Sequence, residues 1–180
     1  MPDNRSPATQ IIVVMGVSGV GKTTVAMGIA GALGWIFAEG DDFHPAANVA
    51  KMHAGHPLTD EDRWPWLRAI GAWMDGRVEA QRSAVVTCSA LKRAYRDLLR
   101  EGRPQVTFCE VDAPAEVIAD RLSQRKGHYM PPSLLPSQLA TLEPLADDEP
   151  GVHVSAADTP EQIVRHALAK LGLTKEDTPT

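Results

Sequence analysis

The sequence predicts an α/β fold in three layers, a five-stranded parallel sheet with helices on both faces. Three observations carry this prediction. The apolar run Ile11-Ile12-Val13-Val14-Met15 leads directly into Gly16-Val17-Ser18-Gly19-Val20-Gly21-Lys22-Thr23, a complete G-x-x-x-x-G-K-[ST] phosphate loop, and a helical stretch starts at its end. Strand-like and helix-like segments then alternate along the chain, the pattern of a parallel sheet wrapped by helices. Last, 180 residues with 43% hydrophobic and 23% charged content suit one domain with one core.

The elements follow in order. Strand one is 11–15, and helix one is 22–33, closed by Gly34, with Val25, Ile29 and Leu33 on its apolar face. Gly28 and Gly31 weaken that helix but let its backbone approach the sheet. Strand two is 35–38, followed by the polar run Glu39-Gly40-Asp41-Asp42-Phe43-His44 and a helix from Pro45 to about Met52. Asp42 is expected to cap that helix. Thr59-Asp60-Glu61-Asp62 has the form of a capping box and opens a long helix to about Gln81. Pro65 lies too deep for a first-turn proline, so the helix either starts near 64 or kinks there.

Strand three (84–88), a helix (91–100), strand four (106–111) and a helix (114–126) with Val117, Ile118 and Leu122 turned inward come next. Residues 127–136 break all periodicity and read as a mobile flap. A short strand, 152–154, precedes the last helix. Thr159-Pro160-Glu161-Gln162 starts that helix and Gly172 ends it. Residues 1–9 and 173–180 read as disordered tails around a single domain spanning 10–172, with a lid at about 126–136.

Composition excludes several classes. A net charge of −5 offers no polyanion-binding surface, so nucleic acid is not expected as a partner. No apolar run approaches a membrane span, and the N-terminal residues lack the pattern of a signal peptide. Cys88 and Cys109 lie in strand-like runs and read as buried thiols, and cytoplasm is the expected compartment. His53 and His56 do not make a credible zinc site.

The phosphate loop defines half of the chemistry. Its backbone N–H groups and the positive end of the helix dipole cradle phosphate oxygens, Lys22 bridges the outer phosphates, and Thr23 ligates magnesium. Gly16 to Thr24 are therefore expected to bind ATP, with Mg²⁺ on Thr23. A GTPase should carry Asn-Lys-x-Asp, which is absent. A motor-type ATPase should carry an apolar strand ending in Asp, and the nearest candidate, 106–112, is interrupted by Glu110. A small-molecule kinase explains more of the chain. It needs a carboxylate at the acceptor hydroxyl, a cation on the migrating phosphoryl group and exclusion of water. Strand two ends in Glu39, Asp41, Asp42 and His44, and strand three in Ser89 and Lys92, where an acceptor should bind.

Gly-Val-Ser-Gly-Val-Gly-Lys-Thr together with Glu39-Gly40-Asp41-Asp42-Phe43-His44-Pro45, Asn48 and Lys51-Met52 resembles the bacterial gluconate kinases. So do 55–63 with Trp66-Leu67, Cys88-Ser89-Ala90-Leu91-Lys92 with Tyr95-Arg96-Asp97, Arg125-Lys126-Gly127-His128, and Ser137-Gln138 with Thr141-Leu142-Glu143-Pro144. The resemblance spans about 11–170. It implies ATP-dependent phosphorylation of D-gluconate to 6-phosphogluconate, a P-loop kinase fold related to shikimate kinase and the nucleoside monophosphate kinases, and a homodimer. Glu39 stands where members of that family often carry Asp.

Beside that resemblance each residue has an expected role. Asp41 orients the acceptor hydroxyl and takes its proton, the alternative being a turn residue. His44 binds hydroxyls, the alternative being a helix-flanking surface residue. Arg63 meets the carboxylate of gluconate with its planar fork, the alternative being an i, i+4 pair near Thr59 and Asp60 or general solvation. Ser89 either touches the polyol or caps the strand end. Arg125, Lys126 and His128 form a clamping flap in which Arg125 and Lys22 stabilise the moving phosphoryl group, and Arg121 lies against the adenine or the phosphates. Trp64, Trp66 and Trp73 read as packing residues rather than a sugar platform. Another small polyol acceptor, or a nucleotide-dependent switch without an acceptor, stays open at this level.

Overall fold

The computed structural model describes residues 8–124 and 134–173. Five strands, β1 (Ile11–Met15), β2 (Ile36–Ala38), β3 (Ala84–Thr87), β4 (Val106–Asp112) and β5 (Gly151–Ser155), form one sheet in the order β2-β3-β1-β4-β5. Every neighbouring pair is parallel. β1 lies in the middle and is buried on both faces, which is why it reads as an uninterrupted apolar run. The order reverses around β1, so the carboxyl ends of β1, β3 and β4 open one crevice beside the phosphate loop.

Seven α-helices are described: α1 (Lys22–Leu33), α2 (Ala46–His53), α3 (Asp60–Glu79), α4 (Arg93–Arg100), α5 (Ala115–Gln124), α6 (Leu135–Thr141) and α7 (Pro160–Leu171). Thr59 and Thr159 each accept the N–H of the residue three places on while that residue's side chain returns the bond, so both capping boxes form. α3 runs through Pro65 without a break. Pro65 and Glu61, whose carbonyl loses its partner there, both face solvent, where water replaces the missing bond.

Several expectations need correction. α2 begins at Ala46 with Pro45 as its cap, no side chain caps it, and Asp42 belongs instead to a 3-10 turn over Gly40–Phe43. Gly28 approaches α7, not the sheet: a Cβ there would stand 2.4 Å from Val164 Cγ2, whereas Gly31 faces open space. Val117 is 37% exposed, while Ile118 is buried. Residues 134–136, expected within the flap, start the helical segment α6, because Pro136 sits in its first turn where no N–H is needed. Arg125, Lys126, His128, residues 126–133 of the expected lid, and most of both tails lie outside the described residues, as does the Leu122 side chain.

The charge inside β4 is fully buried. Glu110 accepts the N–H of Leu145 at 2.9 Å and lies 3.0 Å from His153 Nδ1, and its burial pushes the carboxyl pKa up. A second buried pair, Arg96 with Glu149 at 2.7 Å, ties α4 to the 143–149 segment; Arg96 also donates to the carbonyls of Ala90 and Glu143. Together these contacts pin the segment that follows α6 against the sheet.

Candidate active site

The phosphate loop joins β1 to α1, and Gly21 takes a left-handed φ of 104° to start the helix. Lys22 Nζ donates to the carbonyls of Gly16 and Val17, both at 3.0 Å, across the loop. The Thr23 hydroxyl donates to Glu39 at 2.7 Å, and Thr87 donates to the other oxygen of the same carboxylate. Glu39 thus stands between the loop and β3. A hydroxyl and a carboxylate side by side are the hard oxygen donors that magnesium takes.

After Glu39 the chain turns sharply. A Cβ on Gly40 would lie 1.8 Å from the carbonyl oxygen of Thr87, so only glycine passes between β2 and β3 at this point. Gly40 donates to the Thr87 hydroxyl at 2.9 Å and accepts from Trp66 Nε1 at 2.8 Å. The 3-10 turn so anchored carries Asp41 and leads to His44. The His44 ring stacks on Trp66, with centroids 4.1 Å apart and planes at 14°. Burial first, and the nearby Arg63 cation second, lower the His44 pKa to about 4.

Arg63 is buried in the first turns of α3. Its Nη1 donates to the Tyr95 hydroxyl at 2.7 Å, and Tyr95 donates onward to Asp60, which Lys92 meets at 3.1 Å. This chain orients the guanidinium and balances its charge away from the cavity.

One cavity is lined by Ser18, Lys22, Asp41, His44, Arg63 and Ser89, and closed by Trp66, Met52, Leu58, Leu134, Ser137 and Gln138. Four residues expected to bind an acceptor, from three separate stretches of chain, therefore meet beside the phosphate loop. Arg121 is not among them. It lines a separate hollow with Gly21, Thr24, Pro160 and Ile163, and donates to the carbonyls of Val20 at 3.0 Å and Ala156 at 3.1 Å. Arg125 and His128 lie outside the described residues.

Sequence patterns assign no site role to Tyr95, Trp66 or Gln138. Gln138 is the least legible of them, because its carbonyl accepts the N–H of Ser18 at 2.6 Å from 120 residues away. Trp66 is a core residue as expected, but it also forms a wall of the cavity.

The chain is similar to known proteins over most of its length. A family model described as an AAA domain matches residues 11–145. A gluconokinase of Gluconobacter oxydans is 53% identical over 165 residues, 89% of this chain and 93% of its own length. The chain belongs to the gluconokinase family. The crystal structure of a gluconokinase from Sinorhizobium meliloti superposes with a TM-score of 0.81 at 48% identity, covering 93% of this chain and 94% of that one. Shikimate kinase from Aquifex aeolicus shares the fold alone, at 17% identity and a TM-score of 0.63 over 91% of this chain and 96% of its own.

Proposed function

We propose that this protein transfers the γ-phosphoryl group of ATP to a hydroxyl of D-gluconate, giving 6-phosphogluconate and ADP. The observation that carries this reading is the convergence of Asp41, His44 and Arg63 on one cavity with Lys22 and Ser18 of the phosphate loop. Family membership supports the same reaction.

The roles follow from chemistry. The phosphate loop and Lys22 hold the donor, and the hollow beside Arg121 and Thr24 takes the adenine. Arg63 meets the sugar-acid carboxylate, with His44 and Ser89 on its hydroxyls. Asp41 accepts the proton of the attacking hydroxyl as its oxygen bonds to phosphorus and the bond to the ADP oxygen breaks. Arg121, held by two backbone carbonyls, supports the phosphate loop. Thr23 and Glu39 would hold magnesium, since the Thr23 hydrogen goes to Glu39 and its lone pairs stay available. Magnesium, when bound, neutralises charge on the phosphate oxygens. Arg125 and His128 remain assigned to the closing flap. The enzyme works in the cytoplasm and as a homodimer in this reading, and the single kinase domain is 10–172.

The test is a coupled ADP-release assay with sugar acids, shikimate and nucleoside monophosphates as acceptors. Gluconate should stimulate ADP release well above background hydrolysis; no stimulation rejects the substrate. Asp41→Asn should lower kcat about 100-fold or more with ATP affinity unchanged. An unchanged kcat removes Asp41 as the proton acceptor.

A further inference from the structure

Asn48 is buried in α2, four residues after His44. Its Nδ2 donates to the backbone carbonyl of Asp62 at 2.8 Å. A backbone carbonyl only accepts, so this contact determines which end of the Asn48 amide is nitrogen. The same Nδ2 lies 3.2 Å from His44 Nδ1. An amide nitrogen has two hydrogens and no acceptor capacity, so its second hydrogen goes to His44. Nδ1 must then be unprotonated, and a neutral ring carries its hydrogen on Nε2.

The ring has no freedom to escape this arrangement. It is stacked on Trp66, and the indole is itself held by the Gly40 carbonyl. A second proton on Nδ1 would break the bond from Asn48. The charged groups around the cavity are Arg63 from α3, Lys22 from α1 and Asp41 from the 3-10 turn. Burial first, and Arg63 beside it second, keep the ring neutral around physiological pH.

We propose that Asn48 is a positioning residue that locks His44 in the Nε2–H tautomer, so that His44 meets the acceptor as a neutral hydrogen-bond donor and never as its base. This rests on the reading of the cavity as a sugar-acid site, and it separates two groups that sequence places side by side. Asp41 removes the proton, and His44 selects for an acceptor oxygen with a lone pair to give. An acceptor presenting only an N–H at that point would face a donor and be rejected.

The experiment reads the tautomer without substrate, so a wrong acceptor leaves the result intact. In protein labelled with ¹⁵N at histidine, the signal absent from His44→Gln is assigned to His44. Long-range ¹H–¹⁵N correlation spectra are then recorded between about pH 5 and 8. The wild type should show a bare Nδ1 and a protonated Nε2 across that range, with no titration. In Asn48→Leu the lock is gone, and His44 should show a mixture of both neutral tautomers, while burial and Arg63 still keep it neutral across the range. A wild-type ring protonated on Nδ1, or an Asn48→Leu spectrum identical to wild type, overturns the proposal. Should Asn48→Leu fail to fold, the wild-type spectrum decides alone. In kinetics, Asn48→Asp should raise KM for gluconate about tenfold or more and leave KM for ATP within about twofold. Equal changes in both mean that Asn48 only supports the fold.

Discussion

The side-chain carbonyl of Gln138 accepts the backbone N–H of Ser18 at 2.6 Å, so α6 is bonded to the phosphate loop it faces. Ser137 and Leu134 on the same segment line the cavity shared by Asp41, His44 and Arg63. One short element therefore joins the phosphate loop to the wall of that cavity.

Gln138→Glu tests that join. A carboxylate beside the phosphate loop repels the nucleotide's phosphates and desolvates at a cost. KM for ATP should rise at least about fivefold, measured at saturating gluconate well below the variant's lowered thermal midpoint. An unchanged KM for ATP would mean that α6 turns away from the loop when nucleotide binds.

Tyr95→Phe removes one hydroxyl and nothing else. It breaks the link from Arg63 to Asp60 while leaving both charges in place. A hydrogen bond to a charged group contributes about 1.5–3 kcal/mol. KM for gluconate should rise roughly tenfold with kcat within a factor of about three, as steady-state kinetics would show. A loss confined to kcat would place Arg63 on the phosphoryl group instead of the carboxylate.

Arg96→Met leaves Glu149 buried without its partner. Breaking a buried pair from one side costs about 3–5 kcal/mol, which lowers the thermal midpoint on the order of 10 °C for a chain of this size. Adding Glu149→Leu should recover much of that loss, because an apolar pair of similar volume removes the stranded charge. Calorimetry on the two variants separates these outcomes. A double variant as unstable as the single one would show that the carbonyl contacts of Arg96, not the ion pair, hold the 143–149 segment.

Acid should unfold the protein partly through Asp62. Lys51, at 2.6 Å, is the main cause holding its pKa at about 2, with the Thr59 N–H second. The folded pKa is depressed below the ordinary Asp value of about 3.9. The contribution is therefore fully present above the unfolded pKa and disappears as pH falls through the folded one. Urea titrations should show wild type losing stability between about pH 4 and 2, and Asp62→Asn losing less over the same window. Equal slopes would mean that the pair is as well solvated folded as unfolded.

Much of this architecture follows from local chemistry alone. β1, the phosphate loop and α1 are consecutive, and each is specified by its own residues: a run buried on both faces, glycines at the turn, and N–H groups at a helix start. The two capping boxes are equally local. Pro65 is ambiguous in the sequence because its cost depends on whether the orphaned carbonyl meets water, which the packing of α3 determines. α6 is illegible there because its first residues, Leu-Leu-Pro, resemble a loop until tertiary packing buries Leu134 and Leu135.

That a nucleotide is bound, and where, is written in the chain itself, because a phosphate loop assembles from sequence neighbours. Asp41, His44, Arg63 and Ser89 are likewise supplied as candidates by their motifs. Folding in three dimensions is what brings these four into one cavity, sets Arg121 behind the loop, and lets Gln138 tie α6 to the loop. Contacts across 26 to 120 residues depend on strand order and helix packing, which no local pattern encodes. The tautomer of His44 is of the same kind: it follows from an Asp62 carbonyl brought by α3 to a buried Asn48 on α2.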